Sequence, residues 1–204
     1  MSLMIIDYGM GNLSSVQRAM EEVGAACYIS DNPADIQDSS ALLLPGVGAF
    51  AEGMRNLNSS GMSEAIKSAV TESDIPLLGI CLGMQLLATS GEEGPLTPGL
   101  DLIHGSVRKI SPQLNERLPH IGWNEVNPSS DHPMLEGISP GSDFYFVHSY
   151  HFDISSDVAV ARTPFAGGIT SVVARDTIWG VQFHPEKSSK PGLKLLKNFT
   201  STYT

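Results

Sequence analysis

The sequence predicts a doubly wound, mostly parallel α/β sheet with an antiparallel extension, and three features of the chain predict it. In the first half, short apolar runs alternate with segments of helical period, the pattern of a parallel sheet flanked by helices. In the second half the runs become rich in Val, Ile and aromatic residues, with turn residues between them, which reads as hairpins. An amphipathic segment then closes the chain.

Leu3 to Ile6 is expected to form a buried strand, ended by Asp7-Tyr8-Gly9-Met10-Gly11. Asn12 is a suitable N-cap for a helix whose apolar face is Leu13, Val16, Met20 and Val23, and Gly24 stops it. Ala26 to Ile29 and Ala41 to Leu44 follow as strands, the latter closed by Pro45-Gly46-Val47-Gly48. Helical patterns cover Ala49–Leu57 and Met62–Thr71. Pro76 to Ile80 is a further buried strand, and Met84 to Ala88 is expected to begin a helix. The later strand candidates are 102–110, 121–126, 144–150, 158–162, 169–174 and 178–183. A helix over Pro191 to Tyr203, with Leu193, Leu196 and Phe199 inward, ends the chain.

The 204 residues suit one domain able to bury a core without metals or disulfides. Twenty-two acidic against twelve basic side chains give a net charge of −10. That argues against nucleic acid and anionic membranes as partners, since both need clustered Lys and Arg. Cys27 and Cys81 are the two cysteines, so no disulfide framework is expected, and a reducing cytoplasm is the expected compartment. No apolar run reaches membrane-spanning length, and no signal core follows the N-terminus. Met4 is expected to be the natural first residue.

Leu77-Leu78-Gly79-Ile80-Cys81-Leu82-Gly83-Met84-Gln85 is an apolar strand running into Gly-x-Cys-x-Gly and then a helical pattern. This is a nucleophile elbow in its cysteine form. A nucleophile on so sharp a turn needs glycines two residues to either side. The turn exposes the sulfur, and the following helix N-terminus favours a thiolate and supplies N–H groups to an oxyanion, that of Leu82 first. The competing reading of Cys81 is one more buried thiol; Cys27, in a plain strand pattern, is expected to pack in the core.

A second strand ends in Phe183-His184-Pro185-Glu186. Proline biases His184 toward an extended backbone. At this spacing the carboxylate can take one ring N–H and leave the other nitrogen to exchange a proton with a thiol. The remaining histidines lack a matching carboxylate, and His148 and His151 are expected on different faces, so neither a metal nor a cofactor is expected. Pro45-Gly46-Val47-Gly48 lacks the Lys-Ser/Thr of a P-loop. It suits a loop whose Gly46–Val47 region completes an oxyanion hole, with a plain tight turn as the alternative.

Together, Gly79-Ile80-Cys81-Leu82-Gly83-Met84-Gln85, Pro45-Gly46-Val47-Gly48 and His184-Pro185-Glu186 resemble the class I (triad) glutamine amidotransferases. Asp7-Tyr8-Gly9-Met10-Gly11-Asn12-Leu13, His120-Ile121-Gly122-Trp123-Asn124 and Phe144-Tyr145-Phe146-Val147-His148-Ser149-Tyr150 narrow the resemblance to the glutaminase subunits of imidazole glycerol phosphate synthases. The resemblance implies a triad of Cys81, His184 and Glu186, with an oxyanion hole from Leu82, Gly46 and Val47. It assigns glutamine binding to Gly48, Gly83, Gln85, His148, Ser149 and Tyr150. It implies a heterodimer with a (βα)₈-barrel cyclase that receives ammonia, with Asn12, Trp123, Tyr145 and Lys187 near the contact or the ammonia path. It also implies that hydrolysis is coupled to the partner's ligand, with a peptide of the 45–48 loop as the switch. Two other readings stay open: a triad amidotransferase serving another synthase, and a non-catalytic doubly wound binding module.

Overall fold

The computed structural model describes residues 2–154 and 157–203. Its first half builds β1 (Leu3–Ile6), α1 (Leu13–Glu22), β2 (Cys27–Ser30), β3 (Ala41–Leu44), α2 (Phe50–Ser59), α3 (Met62–Glu72), β4 (Leu77–Ile80) and α4 (Leu82–Leu86). The second half adds β5 (Ala88–Gly91), β6 (Thr97–Pro98), β7 (Ile103–Lys109), β8 (His120–Pro128), β9 (Ser142–His148) and β10 (Tyr150–Asp153). After these come β11 (Ala159–Thr163), β12 (Ile169–Arg175), β13 (Ile178–Val181) and α5 (Ser189–Thr200). A 3₁₀ turn over Pro33–Asp38 links β2 to β3.

Nine strands form one sheet in the order β2-β1-β3-β4-β13-β12-β11-β8-β9. The segment from β2 to β13 is parallel, and every later pairing is antiparallel. This is the predicted doubly wound sheet with its extension. The strands are apolar on both faces because helices cover both. Leu3, Ile5, Leu43, Leu78 and Ile80 pack with α1 and α5 through Val16, Met20, Leu195, Leu196 and Phe199. Met4, Ile6, Leu42, Leu44 and Leu77 face α2 and α3 through Met54, Leu57, Ile66 and Val70. Alternate residues of one strand thus serve two cores.

Asn12 caps α1 as expected, its side chain accepting the Ser15 N–H at 3.3 Å, and Gly24 ends the helix with φ +86°. Three expectations are corrected. The helix after the elbow stops at Leu86 instead of passing through Ala88. The carbonyls of Leu86, Leu87 and Ala88 are taken by the N–H groups of Leu100, Leu102, Ile103 and Asp101, which turns the chain into β5. The run 144–150 is two strands, because β9 pairs with β8 while β10 pairs with β7. Strands β10, β7, β5 and β6 therefore form a second sheet of four strands. The closing helix begins at Ser189, with Leu195 buried on its inner face and Leu193 only half buried.

Candidate active site

The loops that leave β1, β3, β4 and β13 converge at the carboxyl ends of the parallel strands, where open α/β sheets bind ligands. Cys81 follows β4 at φ +54° and ψ −109°. A non-glycine residue is strained there and is held only by its surroundings. The Cys81 N–H donates to Val181 O at 2.8 Å, and its carbonyl accepts from Gln85 N at 3.2 Å. The flanking glycines are dictated by packing. A Cβ on Gly79 would lie 2.7 Å from the Gly83 carbonyl oxygen, and one on Gly83 would overlap the Leu44 carbonyl.

Past β13, His184 and Glu186 are buried together. Nδ1 of His184 meets Glu186 Oε1 at 2.8 Å, and their side chains are 3% and 2% exposed. His184 Nε2 is buried without a hydrogen-bond partner, so it is the nitrogen left for the sulfur. Burial opposes charge on this imidazole, but the nearby Cys81 sulfur and the bond to Glu186 outweigh it and hold its pKa at about 9. The sulfur also touches Val147 O at 4.0 Å and Gln182 Nε2 at 3.8 Å. A thiol, a base nitrogen and a buried carboxylate in this order can generate a nucleophile by proton transfer.

The sulfur opens onto a cavity of about 270 Å³ lined by Val47, Gly48, Cys81, Leu82, Gln85, Glu93, Val147, His148, Ser149 and Tyr150. Of the residues the resemblance assigns to glutamine, Gly48, Gln85, His148, Ser149 and Tyr150 line it, while Gly83 lies beneath, against Leu44. His148 is a structural part of the wall. Its Nδ1 donates to Tyr150 O at 2.8 Å and its Nε2 meets His120 Nδ1 at 2.9 Å. Burial drives its pKa down to about 3, so the ring stays neutral. Glu93 and Val147 escaped the sequence reading. Glu93 follows β5, and its carboxylate accepts Phe50 N–H at 2.8 Å; Val147 was passed over as one more residue of an apolar run.

The resemblance implies an oxyanion hole from Leu82, Gly46 and Val47 with a switching peptide in the 45–48 loop, and here the Leu82 donor is engaged by that loop. Leu82 N–H donates to Gly46 O at 3.3 Å. Val47 is 43% exposed. Gly46 is held against Tyr8, whose buried hydroxyl a Cβ at 46 would overlap. Trp123, Tyr145 and Lys187 adjoin one another at one rim, and Asn12 lines a small cavity together with Lys187. Trp123 and Tyr145 stack edge-on at 6.1 Å, and Lys187 Nζ lies 5.9 Å above the Tyr145 ring. A small cavity of about 10 Å³, lined by Asn12, Gly46, Val47, His184, Glu186 and Lys187 among others, joins this rim to the back of the histidine. Among the described residues no group of His, Cys, Asp and Glu could hold a metal, and no helix is long and apolar enough to cross a membrane.

The family described as "Glutamine amidotransferase class-I" matches residues 4–202. Imidazole glycerol phosphate synthase subunit HisH 1 of Campylobacter jejuni (strain 81-176) is 46% identical over 195 residues, 96% of this chain and 97% of its own length. Subunit HisH of Methanosarcina acetivorans is 46% identical, covering 97% and 96% respectively. A chain of PurLQS from Thermotoga maritima superposes with a TM-score of 0.76 at 15% identity, over 100% of this chain and 99% of that one, a likeness of fold. The chain belongs to the class-I glutamine amidotransferase family, alongside the HisH subunits of imidazole glycerol phosphate synthase.

Proposed function

We propose that the chain is the glutaminase subunit of an imidazole glycerol phosphate synthase, working in the cytoplasm and supplying ammonia for histidine biosynthesis. The observation that carries the reading is the strained Cys81 elbow beside the buried His184–Glu186 pair, 2.8 Å apart. In this mechanism His184 Nε2 takes the Cys81 proton and the sulfur attacks the side-chain carboxamide carbon of glutamine. His184 returns the proton to the departing nitrogen; the C–N bond breaks, leaving ammonia and a glutamyl thioester. Water, deprotonated by His184, then cleaves the C–S bond, releasing glutamate and restoring the thiol. Glu186 holds the ring tautomer and stabilises the imidazolium.

Glutamine fits the cavity with its carboxamide at Cys81, and Glu93 is suited to accept from its α-ammonium group. The Leu82 N–H, engaged by Gly46 O at 3.3 Å, can serve an oxyanion only after that carbonyl moves. Rotating the Gly46–Val47 peptide releases Leu82 and swings the Val47 N–H inward, so one motion supplies both donors. Hydrolysis then depends on a second event, and occupancy of a (βα)₈-barrel cyclase partner is the event proposed. The rim of Asn12, Trp123, Tyr145 and Lys187 meets that partner, and ammonia leaves through the small cavity behind His184.

The test combines labelling with turnover. Diazo-oxonorleucine, a glutamine-like electrophile, is expected to label Cys81 and spare Cys27. With the cyclase and its nucleotide bound, Cys81→Ala is expected to abolish glutamine-dependent turnover and keep ammonia-dependent turnover. Undiminished glutaminase activity in Cys81→Ala would remove the mechanism. Stimulation by a different synthase would remove the pathway.

A further inference from the structure

A fully buried glutamine, Gln182, stands between β13 and His184 with 0% exposure, and the triad chemistry leaves it without a role. Its orientation is fixed from a distance. The Tyr150 carbonyl can only accept hydrogen bonds, so the atom of Gln85 that meets it at 3.0 Å is the amide nitrogen. The second hydrogen of that nitrogen needs an acceptor, and Gln182 Oε1 lies 3.0 Å away. With its oxygen committed to Gln85, Gln182 has its nitrogen toward Cys81 Sγ, at 3.8 Å. A backbone carbonyl thus sets, through two carboxamides, the polarity of the group facing the nucleophile.

The other arm from the same carbonyl is equally determined. His148 Nδ1 donates to Tyr150 O, which makes His148 Nε2 an acceptor for His120 Nδ1–H at 2.9 Å. His120 Nε2 in turn accepts from Asn124 Nδ2 at 3.1 Å. Both rings are therefore neutral and fixed in tautomer. The Tyr150 carbonyl thus accepts from both His148 Nδ1 and Gln85 Nε2, one donor for each lone pair.

We propose that Gln182 is a further catalytic residue, its Nε2–H donating to the Cys81 sulfur and stabilising the thiolate formed when His184 takes the proton, with Gln85 as the positioning residue that aims it. This rests on the reading of Cys81 as the nucleophile. A donor to a buried anion is worth more than one to a neutral group, and the site surrounds the sulfur with few others. His184, backed by Glu186 on its Nδ1, faces it from beyond β13, and His148, held neutral, lines the same cavity from the end of β9. Tyr8 faces it from the loop after β1. Glu93 lines the same cavity.

The experiment is the alkylation rate of Cys81 by iodoacetamide in the intact chain, followed by mass spectrometry across pH with Cys27 as the internal reference. Gln182→Met keeps the volume and removes the donor. It is expected to slow Cys81 about 10-fold or more and move its pH profile upward, with the Cys27 rate unchanged. Gln85→Glu offers Gln182 only acceptors, turns its amide so that Oε1 faces the sulfur, and is expected to slow Cys81 as well. A purely structural Gln182 would leave both the rate and the profile where they are. A Gln182→Met protein that melts like the parent and alkylates like it overturns the proposal. If that variant does not fold, unchanged alkylation in Gln85→Glu overturns it. Iodoacetamide needs no glutamine site, so a failure of diazo-oxonorleucine to label the parent chain would sink the substrate reading and leave this contact standing.

Discussion

Cys81 and Cys27 differ in what their backbones do. Cys27 lies in an ordinary strand and donates to Gln17 O at 3.8 Å, whereas Cys81 is forced to φ +54° by the strand-to-helix turn. Among the histidines, His184 is set apart by an imidazole held at about 9. A folded-state pKa above the ordinary 6.5 contributes stability that is fully present below pH 6.5 and lost as pH rises through 9. Glu186→Gln is expected to bring the His184 titration, followed by NMR, back toward 6.5 and to flatten that alkaline loss of stability. It should also lower kcat by about 10²–10⁴-fold, as removing the carboxylate of a triad does. These residues were legible because their chemistry leaves a local mark: glycines around the cysteine, proline after the histidine. Gln182 and Glu93 leave none. Their roles depend on partners 101 and 43 residues away in sequence, Cys81 and Phe50, which no local pattern encodes.

At the scale of elements, the elbow works because β4, α4 and the end of β3 are pressed together at Gly83. Its missing Cβ is filled by the Leu44 carbonyl, a backbone atom that cannot move aside. Gly83→Ala is therefore expected to destabilise the fold by about 1–3 kcal/mol or more, measured as a lowered Tm, and to cost activity beyond the loss of folded protein. The strands of the parallel half were readable from their apolar runs, since strands covered on both faces carry continuous apolar sequence. Ala88 to Gly91 carries no such run and becomes a strand through pairing with β7, with Ser90 opposite Ser106. Likewise, nothing local marks Ser149 as the point where the chain leaves one sheet for another. Tertiary pairing decides both.

For the whole molecule, topology places the site. The loops after β1, β3, β4 and β13 meet because those strands are parallel and adjacent, so residues 12, 46, 81 and 184 share one end of the sheet. That much follows from the alternation of strand and helix, which is why the fold class and the gathering of the motifs could be anticipated together. The state of the oxyanion loop could not, since either orientation of the Gly46–Val47 peptide suits the same sequence. At the rim, Ile121 and Trp123 lie on one face of β8 and are 59% and 53% exposed, large apolar groups in water. Trp123→Ala is expected to leave the fold and Cys81 labelling intact and to weaken binding of the cyclase proposed as partner by about 2 kcal/mol, near 30-fold in Kd, measured by titrating the one with the other.

The contact between Tyr8 and Gly46 has a bearing on how such a chain can change over time. Gly46 has no left-handed φ to justify a glycine; the residue is small because a hydroxyl from another loop occupies its side-chain space. An alanine there collides with the Tyr8 hydroxyl and, behind it, is crowded by Leu82 Cβ at 3.0 Å and Gly83 N at 3.2 Å. A residue larger than glycine at 46 thus asks first for the loss of the hydroxyl at position 8 and then for a small shift of the elbow itself, which ties the tightness of this loop to the seating of the nucleophile.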